Sequence, residues 1–96
     1  MTPAQTYGTP TPAGSVKVAY TGTAGTTAAL AAGTNCVRVI STTDCFIEIG
    51  VNPTAVADTG LYLPAFVPEY FQVGAGVKVS AIQVSSGGTL YVTPFA

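Results

Sequence analysis

The side chains able to do acid–base chemistry are few. The chain of 96 residues carries four carboxylates, Asp44, Glu48, Asp58 and Glu69, and no histidine. Proton transfer needs an acid and a base held within hydrogen-bond reach, and histidine is the commonest choice. Here the carboxylates fall in a loop, a strand, a second loop and the start of another strand. No two sit at a spacing that forces them together. A serine nucleophile would lack its base, and Gly74-Ala75-Gly76 and Gly87-Gly88 are too short for a phosphate loop and open strands rather than helices. The expectation is a protein that is not an enzyme and binds no cofactor.

The two thiols, Cys36 and Cys45, are the remaining reactive groups. Without histidine they make a poor zinc site, which wants four ligands. They read as small buried groups. Lys17, Arg38 and Lys78 are the only cations, scattered in a chain of net charge -1. Nucleic-acid binding needs a basic patch, so that partner is not expected. No apolar run reaches the ~18 residues of a membrane-spanning helix. No charged start or apolar stretch precedes Val16, so no signal peptide is expected and folding in a cytoplasm is.

The elements that position these groups read as β-structure. Met1 to Gly14 holds Pro3, Pro10 and Pro12 and reads as an extended arm. It is either a loose terminus or an arm that orders against a neighbouring subunit with Tyr7 as anchor. Deleting it is expected to leave the rest folded. From residue 15 to 96 a single domain is expected. Short runs alternate at Val16 to Tyr20, Cys36 to Ser41, Cys45 to Gly50, Leu61 to Pro64, Glu69 to Val73, Val77 to Val84 and Thr89 to Thr93, with turn residues between them. Two hairpins suggest themselves. Around Thr42-Thr43-Asp44, setting Val39 opposite Ile47 and Val37 opposite Ile49 puts four apolar residues on one face and pairs Arg38 with Glu48 on the other, a structural pair worth about 0.2–1 kcal/mol. That register points the two cysteines to opposite faces. Lengthening the loop by one residue leaves them about 13 Å apart, so no disulfide is expected. Around Ser85 to Gly88, pairing Val84 with Thr89 gathers Val79, Ala81, Leu90 and Val92 on one face. Lys78, Ser80, Ile82, Val84 and Tyr91 then share a second, amphipathic face, a candidate contact surface. Pro94 is expected to end the last strand.

Composition bears on the surface. Hydrophobic residues make up 48% of the chain and charged residues 7%, against about 25% charged in typical soluble domains. Such a chain is not disordered. Its surface is covered either by Thr, Ser, Gly and Ala or by neighbouring subunits, whose buried interfaces are depleted in charge. The fold class expected is all-β, a small antiparallel β-sandwich or barrel, jelly-roll-like, with an extended N-terminal arm.

Two stretches carry a resemblance: VRVISTTDCFIEIG at Val37 to Gly50, followed by NPTA, and LYLPAFVPEYFQVGAGVKVSAIQVSSGGTLYVT at Leu61 to Thr93. They resemble small β-rich virion proteins of tailed bacteriophages, the minor structural, head-decoration or cement proteins. The elements are the strand ending in Gly50, the Leu-Pro before Val67, Pro68-Glu69-Tyr70-Phe71, the entry Gly76-Val77-Lys78-Val79 and the Gly-Gly-Thr-Leu turn. The resemblance implies a virion protein assembled in the host cytoplasm. It also implies a homo-oligomer, by analogy a homotrimer, on the major capsid protein or another virion protein. A tail or connector component and a carbohydrate-binding sandwich are the alternatives. The expected contact residues are Tyr62, Phe66, Glu69, Tyr70 and Phe71, with Tyr7 on the arm. Aromatics anchor interfaces, and Pro64 and Pro68 keep their segment at an edge or in a loop.

Overall fold

The computed structural model describes residues 8–96. After a 3-10 turn at Pro12–Gly14 come eight strands: β1 Val16–Tyr20, β2 Gly25–Thr26, β3 Cys36–Ser41, β4 Cys45–Gly50, β5 Leu61–Leu63, β6 Glu69–Gln72, β7 Lys78–Gln83 and β8 Gly88–Phe95. They form two four-stranded antiparallel sheets. The first, sheet A, has the order β1-β8-β3-β6, and the second, sheet B, the order β2-β7-β4-β5. Every connection except β4 to β5 passes from one sheet to the other. That order is the jelly roll, two sheets that share one interior and wind through it together.

Alternation explains the core. Val37 and Val39 of β3 and Leu90 and Val92 of β8 face inward from sheet A; Ile47 of β4 and Val79 and Ala81 of β7 face inward from sheet B, all buried. A fully buried Val, Leu or Ile contributes about 1.5–3 kcal/mol over its exposed state. Tyr20, Leu30, Cys45 and Leu63 complete this cluster.

The two expected hairpins are instead corners between the sheets. β3 pairs with β6 and β8, whereas β4 pairs with β5 and β7. Arg38 lies opposite Thr93 and Tyr70, and Glu48 opposite Ser80, so the Arg38–Glu48 pair does not form. Likewise β7 and β8 belong to different sheets, which puts Lys78, Ser80 and Ile82 on the far side of the molecule from Tyr91. The physical reason is in the corner hydrogen bonds. The two corners satisfy each other: Val84 N donates to Asp44 O at 3.2 Å, Thr42 N to Thr89 O at 3.1 Å, Thr89 N to Thr42 Oγ1 at 3.0 Å and Thr43 Oγ1 to Ser86 O at 3.0 Å. Buried Tyr20 reaches the same place from the end of β1. Its hydroxyl donates to Thr43 O at 2.8 Å and accepts Thr43 N at 3.3 Å. A Cβ at Gly88 would come within 2.8 Å of that hydroxyl, which is why the convergence point needs glycine.

Pro94 does not end the last strand. β8 runs on to Phe95, and Pro94 sits opposite Val37 of β3. In an antiparallel strand the N–H and C=O of one residue point to the same side. The Pro94 carbonyl accepts Thr11 N at 2.9 Å, so the amide that proline lacks is missing from that side and not from the ladder with β3. The chain from Gly8 to Gly14 lies along the end of β8. Thr9 and Ala96 exchange two backbone hydrogen bonds, both 3.0 Å, and Pro10 bridges Phe95. This part of the arm therefore extends its own sheet. Tyr7 lies outside the described residues.

Candidate functional site

The two outer faces of the sandwich differ. The loop between β4 and β5 lies over part of sheet B, while Tyr62, beside Phe46 on the same outer face, stays 46% exposed. Ala55 N donates to the buried Ser80 Oγ at 2.9 Å, Thr54 N to Glu48 Oε2 at 3.4 Å, and Thr26 Oγ1 to Pro53 O at 3.5 Å. Ala55 and Pro53 are buried against the sheet. Asn-Pro starts this loop, and a Cβ at Gly60, where it returns, would sit 2.9 Å from Ile47 O.

The outer face of sheet A has no such cover among the described residues. Its outward positions form rows across the strands. Lys17, Tyr91 and Ile40 lie side by side, then Thr93, Arg38 and Tyr70, then Phe95, Cys36 and Gln72. Tyr91 is 44% and Tyr70 40% exposed. The Tyr70 and Phe95 rings meet edge to face at 6.1 Å. Between β1, β8 and β3 runs a groove of about 480 Å³, lined by Ser15, Val16, Lys17, Arg38, Ile40, Tyr91 and Thr93. Arg38 Nε is buried there without a hydrogen-bond partner among the described residues.

A second surface gathers at the β3–β4 corner. Tyr62 stacks edge to face on Phe46 at 5.5 Å, and its hydroxyl donates to Asp44 Oδ2 at 2.7 Å. Asp44 Oδ1 accepts Ala65 N at 2.8 Å. The Ala65 amide, with help from the Tyr62 hydroxyl, holds the Asp44 carboxyl below its ordinary value. This tether presents Phe66, which is 68% exposed at φ 60°. A bulky residue in the left-handed region is a conformational outlier, and such outliers cluster at functional sites. Phe66 N donates to Ser41 O at 2.8 Å, which fixes the backbone there.

The structure thus divides the contact residues expected from sequence. Tyr62 and Phe66 lie at the corner, and Tyr70 on the open face of sheet A. Glu69 is exposed on β6, an edge strand, opposite Val39. Phe71 lies opposite Val37, half-buried and packed against the core. Proximity in sequence brought these residues together on paper. β5 and β6 belong to different sheets, and the Pro64–Pro68 segment carries the chain between them. Of the groove residues, Lys17, Ile40 and Thr93 are not singled out by the sequence, and Tyr91 is placed there on a face with Lys78 and Ser80 instead. Their signal was the outward position in each alternating strand, but which strands lie side by side was needed to combine them. Both cysteines are free and buried. Cys36 stands at the end of β3 farthest from the corner and Cys45 at the corner itself, five strand positions or roughly 16 Å apart along β3, which agrees with the expected absence of a disulfide. No group of three or more His, Cys, Asp or Glu side chains able to hold a metal occurs among the described residues.

Compared with known protein families, curated proteins and solved structures, the chain finds no match in any of the three.

Proposed function

We propose that this chain is a non-enzymatic virion structural protein that decorates or cements the head of a tailed phage. It works as a homo-oligomer, a trimer by analogy with the proteins it resembles, seated on the major capsid protein. The observation that carries the reading is the asymmetry of the sandwich. Among the described residues, the loop between β4 and β5 lies over part of one outer face, whereas no segment crosses the other, which carries Tyr91, Ile40 and Arg38 beside Tyr70. Exposed sheet faces with aromatics and arginine have the composition of protein interfaces. The exposed Phe66 adds a second anchor at the corner. Jelly rolls serve as viral shell proteins, an analogy of fold that raises this reading without deciding it.

Jelly rolls also serve as lectins, and the groove beside Tyr91 gives a carbohydrate-binding module as the second reading. A tail or connector component stays within the first.

Sedimentation separates these. The purified chain is expected to sediment as an oligomer at micromolar concentration and to co-sediment with capsids of the phage that encodes it. Tyr70→Ala is expected to weaken one or both more than it lowers the melting temperature. A stable monomer that leaves capsids bare would remove the decoration reading and move the binding module to first place.

A further inference from the structure

Charge is segregated in this molecule. Two of the chain's three cations, Lys17 and Arg38, line the groove on sheet A. None of its four carboxylates is on that face. Asp44 is tied to Tyr62 and Ala65 at the corner, Glu48 to the Thr54 amide over sheet B. Asp58 lies in the loop across sheet B, and Glu69 is paired with Val39 on the inward side of an edge strand. A chain of net charge -1 therefore presents a local charge of two positive groups with no carboxylate beside them among the described residues.

The geometry suits one anionic group. Lys17 and Arg38 stand on either side of β8, two strand spacings across and two residues along, or roughly 12 Å between Cα atoms from the standard sheet dimensions. Side chains of that length converge readily over the intervening Tyr91 and Thr93. Arg38 Nε is buried without an acceptor among the described residues, so a ligand in the groove meets the guanidinium through its two terminal nitrogens. A guanidinium offers five donors in a fork that matches a carboxylate in two places. Val16, Ile40 and the Tyr91 ring supply apolar wall, and Ser15 and Thr93 supply hydroxyls.

We propose that this groove is a carboxylate-binding site that docks an acidic, extended segment of a partner polypeptide. Arg38 and Lys17 hold the carboxylate, and Tyr91 and Ile40 take a flanking apolar side chain. The lining favours a peptide over a sugar. None of the seven lining residues is Asp, Glu, Asn or Gln, the side chains that read sugar hydroxyls. Two cations are also too few to track a phosphate backbone. Only the identity of the partner rests on the decoration reading; the site itself does not.

The test uses the full chain and a capped hexapeptide with one central Glu flanked by Val and Thr, beside its Gln counterpart. In a titration followed by amide ¹H–¹⁵N shifts, the Glu peptide is expected to move Lys17, Arg38, Tyr91 and Thr93. It should bind about tenfold tighter than the Gln peptide, the ratio that one charge-assisted hydrogen bond supplies. Arg38→Gln and, separately, Lys17→Gln should each erase most of that ratio with the fold intact by the same spectra. Equal binding of the two peptides, shifts confined to another face, or no binding at millimolar peptide would overturn the proposal. So would tighter binding of sialyllactose, which would assign the groove to an acidic glycan. Capsid co-sedimentation keeps the two readings apart. If Arg38→Gln co-sediments as well as wild type, the capsid is struck as the groove's partner and decoration stands, with the site itself judged by the peptide titration. If wild type fails to co-sediment while the Glu peptide binds, decoration falls and the groove stands.

Discussion

The Pro94 carbonyl takes two hydrogen bonds from Thr11, one from its amide at 2.9 Å and one from its hydroxyl at 3.0 Å. This contact joins the two ends of the described chain, 83 residues apart in sequence. It also explains how a proline fits inside a strand that has neighbours on both sides. The side of Pro94 that lacks an amide is met by Thr11, which offers two donors and asks for none in return.

One consequence concerns truncation. Removing residues 1–11 deletes the Thr11 bonds and the two between Thr9 and Ala96. Freed carbonyls at a sheet edge are resolvated, and the removed residues no longer need ordering, so the net loss is about 1–3 kcal/mol. The eight strands should stay folded, with the melting temperature lowered by about 5–15 °C for a domain of this size. Calorimetry of this deletion beside a deletion of residues 1–7 isolates the contribution of residues 8–11. Identical melting curves for the two would show that the Thr9–Ala96 and Thr11–Pro94 bonds stabilise nothing.

A second prediction concerns pH. Burial raises the thiols of Cys36 and Cys45 above their ordinary value of 9.0, and burial raises the Tyr20 hydroxyl above 10.0. The unfolded chain therefore loses these protons first as pH rises. The stability they contribute is whole below pH 9 and drains away above it, through the raised folded values. Melting temperature should be level from pH 7 to 8 and decline from about pH 9, the unfolded thiol value. Native protein at pH 8 should react slowly with a thiol reagent, and two thiols should titrate after denaturation without reductant. An intramolecular disulfide in the mass spectrum, or stability still rising at pH 10, would contradict this account.

Phe66 yields the third. Replacing it with Gly relieves a left-handed conformation worth about 1–2 kcal/mol, and the added freedom of the unfolded chain offsets about 0.5–1 kcal/mol of that. The ring is mostly in solvent, so little packing is lost. Phe66→Gly should therefore melt within a few degrees of wild type while oligomer formation or capsid binding drops. A fall of ten degrees would mean that the ring is part of the core, and unchanged assembly would dismiss it as an anchor.

Alternation along each strand determined which residues face inward. Val37, Val39, Ile47, Val79, Ala81, Leu90 and Val92 are buried as their pattern required, because side chains on a strand have a period of two whichever strand lies alongside. The prolines at 64 and 68 likewise told that their segment lies by an edge, since β5 and β6 are both edge strands. Pairing was another matter. Two consecutive strands with inward faces satisfy the same pattern whether they fold back as a hairpin in one sheet or turn across the core to face each other from two. The Val37–Ile49 register does not form, but its apolar residues still face inward: Val37, Val39 and Ile47 lie in one core and Ile49 packs against it. The Arg38–Glu48 pair is lost with it, because the outward sides of two opposed sheets point in opposite directions. Which alternative holds is decided by corner hydrogen bonds between segments 43 to 47 residues apart, Thr42 with Thr89 and Thr43 with Ser86. No local pattern encodes these. The same tertiary choice set Tyr91 between Lys17 and Ile40 and moved Arg38 beside them, so the groove exists only once β1, β8 and β3 lie side by side.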